Sequence, residues 1–214
     1  MPSGTRNTSF LPSAPDPLET GPEGPGWTFQ ASRPGSRRFM NKTPERGEIP
    51  ILSIVGKSNT GKTTLIERLI PELVRRGWRV ATIKHNRHGF QMDHEGKDSW
   101  RHKNAGARMT VVASPQKVAL VADAPRDYTM AELRDLYVRD VDLVLAEGFK
   151  KNPHPKIEVF RPEVHSERLC GPDDHCVAVV SESPLPPAVP RFGPDDIPAL
   201  CDFIERTILR GAAP

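Results

Sequence analysis

No stretch of this 214-residue chain approaches the roughly 18 consecutive apolar residues that cross a bilayer, and its start lacks the charged-then-apolar order of a secretory signal. A spanning helix is excluded, and a cytoplasmic protein is expected. Cysteine is scarce: Cys170, Cys176 and Cys201 are odd in number, late in the chain and free of CxxC spacing. That pattern supports neither a disulfide framework nor a zinc ribbon, so reduced thiols are expected. His165 and His175 stand near Cys176, but part of that set falls on or beside an apolar strand, which argues against a metal cluster. Charge of one sign is also missing. The net value is only +3, from 30 basic and 27 acidic residues, too balanced for a protein that lives by neutralising a nucleic-acid backbone.

The first 48 residues hold 8 Pro, 6 Gly and 5 Ser and little that is apolar, so they cannot bury enough surface to offset the entropy of ordering them. Residues 1–48 are read as a disordered tail, and Met40, nine residues before the first strand, would serve as a conventional start. Residues 49–214 read as one domain.

In that domain short apolar runs alternate with helical ones, the signature of crossover units and a mainly parallel sheet flanked by helices. Strands are expected at 49–55, 79–84, 141–146, 156–160 and 176–181, with a hairpin of 108–113 and 118–122. Helices are expected at 63–76, bent or split by Pro71, at 98–107, at 129–138 with Thr129 and Glu132 forming a capping box, and from 195 or 196 to 209. Ten prolines between Pro153 and Pro198 mark a loop-rich region.

Gly56-Lys57-Ser58-Asn59-Thr60-Gly61-Lys62-Thr63 fits G-x-x-x-x-G-K-[ST] between a strand and a helix, the context that a phosphate loop requires. Gly56 and Gly61 let successive backbone N–H groups point at a phosphate, Lys62 adds a cation, Thr63 offers a hydroxyl to Mg²⁺, and Thr64 continues the helix start. A second magnesium group, an acid at a strand end, is needed. Ligands lie off the carboxyl ends of parallel strands, so Glu147 is the candidate, while Asp142, about 16 Å back at strand rise, only starts the strand. Asp93, Lys97 and Asp98 follow the second strand on the same edge and are candidates to reach nucleotide, metal or an attacking water, although Asp98 also suits the N-cap of the short helix after it. His85, His88, His94 and His102 crowd this region in no zinc spacing and read as a solvated loop.

With Ala81-Thr82-Ile83-Lys84-His85, Gly96-Lys97-Asp98-Ser99, Lys103-Asn104-Ala105-Gly106-Ala107, Glu147-Gly148-Phe149-Lys150 and Pro155-Lys156-Ile157-Glu158 added to the phosphate loop, the chain resembles the MobB family of molybdopterin-guanine dinucleotide biosynthesis adaptors over about residues 49–210. The resemblance implies a P-loop NTPase-like α/β fold, a homodimer, GTP and Mg²⁺ with weak hydrolysis, and a helper role beside the molybdopterin guanylyltransferase and other molybdopterin-handling proteins. It carries phosphate-loop roles onto Gly61, Lys62 and Thr63, and the acidic strand end onto Glu147. Where family members often have Thr-Asp after the strand at 176–180, Ser181-Glu182 stands here, and Glu182 is the candidate for pairing with guanine. No Asn-Lys-x-Asp element occurs, so guanine preference rests on the resemblance. Lys57 sits where some dimeric P-loop ATPases carry a lysine that reaches the partner's nucleotide, but they follow it with Gly-Gly rather than Ser58-Asn59.

Two other functions use the same loop. A small-molecule kinase would need a lid with paired arginines, and Arg87, Arg101 and Arg108 are scattered. A metallochaperone GTPase would need the histidine loop to hold metal.

Overall fold

The computed structural model describes residues 48–210 apart from 87, 172 and 185–188. The segment expected to be a tail therefore lies, save for Glu48, outside the described residues. Eight strands and four helices follow one another: β1 Ile51–Val55, α1 Lys62–Arg75, β2 Val80–Lys84, α2 Asp98–Asn104, β3 Met109–Ala113, β4 Val118–Ala122, α3 Met130–Tyr137, β5 Leu143–Glu147, β6 Lys156–Val159, β7 Cys176–Val180, β8 Arg191–Phe192 and α4 Ile197–Ile204, the last running into a π-helical turn at Glu205–Leu209.

Six strands form one sheet in the order β2-β5-β1-β6-β7-β8, and every pairing in it is parallel. Parallel strands bury both faces, which is why β1, apart from Ser53, and most of β5 read as apolar runs rather than alternating ones. On one face Leu52, Ile54, Leu145 and Ile157 pack against Leu65, Leu69 and Leu73 of α1 and Leu200 and Ile204 of α4. On the other, Ile51, Val144 and Ala146 meet Met130 of α3. Because all six strands run the same way, the loops after β1, β2, β5, β6 and β7 share one edge.

β1 starts at Ile51 rather than 49, since Pro50 has no N–H to give the ladder; its carbonyl still accepts from Val144 at 2.9 Å. Glu48 and the carbonyl of Ile49 are bound by Arg134 of α3, which ties the chain's entry to the sheet. Pro71 does not split α1: it lies on the exposed face, and Leu69 and Leu73 on either side are fully buried, so packing offsets the one missing hydrogen bond. The capping box at Thr129 and Glu132 is formed, with Thr129 Oγ1 accepting from the Glu132 N–H at 3.2 Å and Glu132 accepting from the Thr129 N–H at 2.8 Å. α2 is shorter than expected, and Asp98 is its first helical residue rather than its cap; Lys97 occupies the cap position without a side-chain bond. β8 was not expected, and it extends the sheet beyond β7 through Arg191 and Phe192.

β3 and β4 stand apart as an antiparallel hairpin, closed by the Ala113–Val118 pair and the Ser114 hydroxyl accepting from the Lys117 N–H at 3.0 Å. Its apolar side chains are open to solvent, Val118 at 72% and Val111 at 54%.

Candidate functional site

The loop from Gly56 to Gly61 leaves the buried end of β1 and delivers the chain into α1. Gly56 has φ +149°, and a Cβ there would lie 2.5 Å from the Val159 carbonyl oxygen and 2.8 Å from Thr60 Oγ1. Only glycine lets the loop pass so close to the end of β6. Thr60 is buried and its hydroxyl donates to the Lys57 carbonyl at 3.0 Å, while Lys62 Nζ donates to the same carbonyl at 2.7 Å. Lys62 thus reaches back over the loop in which it was expected to bind phosphate. Burial lowers its pKa, Glu147 opposes this, and Lys150 and Lys84 add positive field that lowers it further. The site holds more positive charge than its one close carboxylate balances, the arrangement an anion completes.

Glu147 closes β5 beside β1, and its carboxylate accepts from Thr63 Oγ1 at 3.1 and 3.2 Å to its two oxygens. Lys84 ends β2 in register with Glu147 and its ammonium stands 3.4 Å from the same group. The hydroxyl and carboxylate in contact at the mouth of the 56–61 loop are hard oxygen donors of the type that Mg²⁺ takes. Asp142 lies at the opposite end of β5, where its carboxylate accepts from the Arg79 backbone at 2.8 Å and from Arg79 Nε and Nη2 at 3.0 and 2.7 Å. Those bonds hold Asp142 below the usual carboxylate range and assign it to fastening β5 to β2. Gly148, directly after Glu147, has φ +100°, and a Cβ would meet the His85 carbonyl oxygen at 2.5 Å, so the chain turns away under the end of β2.

On the α1 side, a cleft of about 150 Å³ opens between Thr60, Thr64 and Arg68 and the ends of β6 and β7. Glu182 is exposed on its rim, and Ser181 is buried with a hydroxyl that lacks a hydrogen-bond partner among the described residues. A buried donor without a described partner, beside an exposed carboxylate, suits an edge bearing both acceptors and donors, such as a purine.

The other expected site residues fall as follows. Ser58 and Asn59 are exposed at the loop tip, Asn59 with φ 61°, and Lys57 is half-buried. Asp93 accepts from the His94 N–H at 2.9 Å, and Asp98 is 89% exposed, 3.7 Å from Arg101. None of their described contacts is with the phosphate loop or Glu147. His85 stacks on Phe149, with ring centroids 4.5 Å apart, and its Nε2 is 3.0 Å from Asp127, so it is engaged in the fold. Among the described residues the four histidines of this region form no cluster that could hold a metal.

Lys84, Ser181 and His165 were missed as site residues. Lys84 and Ser181 were legible as strand ends on the ligand edge. His165, whose Nε2 lies 2.8 Å from the Ser58 carbonyl, gave no signal, because it comes from a proline-rich loop a hundred residues downstream.

The MobB family, described as molybdopterin guanine dinucleotide synthesis protein B, matches residues 51–182. The chain is 42% identical over 168 residues to the molybdopterin-guanine dinucleotide biosynthesis adapter protein of Haemophilus influenzae, covering 78% of this chain and 91% of that protein. To the Escherichia coli protein of the same description it is 40% identical over 161 residues, 73% of this chain and 91% of the relative. A crystal structure of Bacillus subtilis MobB superposes with a TM-score of 0.61 at 30% identity, covering 74% of this chain and 98% of that one. The parallel sheet and these likenesses together place the chain in the MobB family.

Proposed function

We propose that this protein is a GTP-binding adaptor of molybdenum cofactor biosynthesis, which holds nucleotide for the enzyme that attaches GMP to molybdopterin. The observation that carries the nucleotide reading is the contact of Thr63 with Glu147 at the mouth of a loop whose lysine is already disfavoured as an unpaired cation. The adaptor role follows from membership of the MobB family.

The loop's N–H groups and Lys62 bind the β- and γ-phosphates, aided by Lys84 and Lys150. Thr63 and Glu147 would hold Mg²⁺, which neutralises phosphate charge and polarises the terminal phosphoryl group when bound. Glu182 accepts from guanine N1–H and the exocyclic amine, with the Ser181 hydroxyl beside it. Hydrolysis is weak on this reading. Asp93 and Asp98 are the candidates to position a water, and neither has a described contact that fixes it against the phosphate loop.

Glu147→Gln is expected to lower GTP affinity in Mg²⁺ about tenfold or more while leaving the affinity measured in EDTA nearly unchanged, a signature of lost metal rather than lost phosphate contact. Asp142→Asn should leave the Mg²⁺ dependence intact. A larger magnesium defect in Asp142→Asn would show that the metal acid is at the wrong end of β5.

The protein acts as a homodimer on this reading, in the cytoplasm, beside the pterin guanylyltransferase. Among the described residues no helix is long and apolar enough to cross a membrane. The hairpin of β3 and β4 supports the dimer: a two-stranded ribbon is marginal on its own in water, and this one leaves Met109, Val111 and Val118 exposed. Val111 and Leu120 are register partners, so Val111→Lys with Leu120→Glu keeps a favourable cross-strand pair while removing apolar surface. Sedimentation should find the variant monomeric with unchanged circular dichroism. A variant that stays dimeric would exclude this hairpin as the interface.

A further inference from the structure

Away from the phosphate loop, β6 and β7 carry a polar cluster that nucleotide binding does not use. Glu158 of β6 is 1% exposed, and its carboxylate is fully engaged: Arg168 Nε donates at 2.9 Å, the Cys170 N–H at 3.4 Å, and the Leu169 N–H donates as well. These bonds draw residues 168–170 onto the sheet beside Cys176, the first residue of β7. One carboxylate oxygen and the sulfurs of Cys170 and Cys176 lie within 4.8 Å of one another. The segment between the two cysteines is held at its far end by Lys156, whose ammonium donates to the carbonyls of Asp174 and Asn152 at 2.7 and 2.6 Å.

The two thiols are made unequal by their surroundings. Arg168 Nη2 stands 3.7 Å from Cys176 Sγ, and Cys176 otherwise donates to the Ala178 carbonyl at 3.3 Å. The neighbouring Cys170 thiol and the Arg168 charge hold the Cys176 thiol below its ordinary range, while the same pairing, now with Cys176, and burial push Cys170 up. Both residues are half-buried, so a small oxidant reaches them; Cys201 is buried in the core, and burial pushes it up to about 11. A cation is poorly suited to this cluster. The carboxylate oxygens are already taken by three N–H donors, and a guanidinium faces the sulfur.

We infer that Cys170 and Cys176 are a thiol pair that hydrogen peroxide closes into a disulfide and that reducing dithiols reopen. Cys176 thiolate attacks one peroxide oxygen, the O–O bond breaks, and Cys176 becomes a sulfenic acid while the released hydroxide takes up a proton as water. Cys170 sulfur then attacks Cys176 sulfur and displaces the second hydroxide, which leaves as water with the Cys170 proton. Both sulfurs are oxidised by one electron each, and one peroxide is reduced to two waters.

The test uses the full chain, reduced, desalted and treated with a low dose of peroxide, then alkylated under denaturing conditions and weighed. Alkylatable thiols should fall from three to one, with a peptide linking residues 170 and 176, and a reducing dithiol should restore three. In Cys170→Ser the sulfenic acid of Cys176 should persist and be trapped by dimedone, whereas Cys176→Ser should stay unoxidised at the same dose. Peptide mapping of the unaltered chain decides the matter even if a variant fails to fold. Three alkylated thiols after peroxide, or zinc that copurifies with the chain and shields both cysteines from alkylation of the folded protein, would overturn the proposal.

Discussion

Lys62→Ala is expected to weaken GTP binding about 10- to 100-fold while the nucleotide-free protein melts at or above the wild-type temperature. The two halves of this expectation come from one side chain. A charge-assisted contact to phosphate is worth about 1.5 to 3 kcal/mol, and Lys62 is the cation that the loop aims inward. Among the described residues, however, the ammonium's hydrogen bond is to the Lys57 carbonyl, and burial with Lys84 and Lys150 outweighs the favourable field of Glu147. A lysine whose pKa is lowered by folding makes the unfolded chain bind protons more readily. Stability is therefore lower while it is protonated and rises with pH between the lowered folded pKa and the ordinary 10.5. Removing that ammonium lifts the cost. A calorimetric titration and a thermal melt check both halves, and unchanged GTP affinity would remove the phosphate-loop assignment.

Gly56→Ala is expected to cost about 2 to 5 kcal/mol and to lower the melting temperature by about 5 to 15 °C in a domain of this size. The backbone at φ +149° is one that side chains rarely adopt, and the added methyl would press on the Val159 carbonyl at 2.5 Å. That atom is backbone in a buried strand, so relief requires β6 or the loop to move. Movement of the loop displaces Thr60 and the Lys57 carbonyl, so nucleotide binding should fall together with stability. A variant that melts with wild type would mean that the close approach of loop and β6 is absent in solution.

The placement of the candidate residues was largely readable in the sequence because parallel sheets gather strand ends on one edge. The choice of Glu147 over Asp142 rested on the carboxyl-end rule and strand rise, and the two residues lie at opposite ends of β5 with different partners, Thr63 and Arg79. The path of the loop at 56–61 was legible for a similar reason, since glycine spacing reports a backbone path directly. Asp98 was harder: an acid before a helix suits a cap, but where the helix begins depends on a single residue's backbone angles, and Lys97 took that position. β8 escaped notice because two residues among prolines carry no periodicity, and only the neighbouring strand makes Arg191–Phe192 a strand. The cysteine pair was invisible for another reason. Cys170 and Cys176 share no recognised spacing, and what joins them is the buried Glu158 gathering residues 168–170, a tertiary contact with no local signature.

The central claim, that the loop at 56–63 together with Glu147 holds a magnesium-bound guanine nucleotide, is tested most directly by titrating the full-length chain with GTP and with ATP, each in Mg²⁺ and in EDTA. The account predicts saturable binding of GTP at one per chain, tighter in Mg²⁺ than in EDTA and tighter than ATP under both conditions; absence of binding, or equal affinity for the two nucleotides regardless of Mg²⁺, would contradict it.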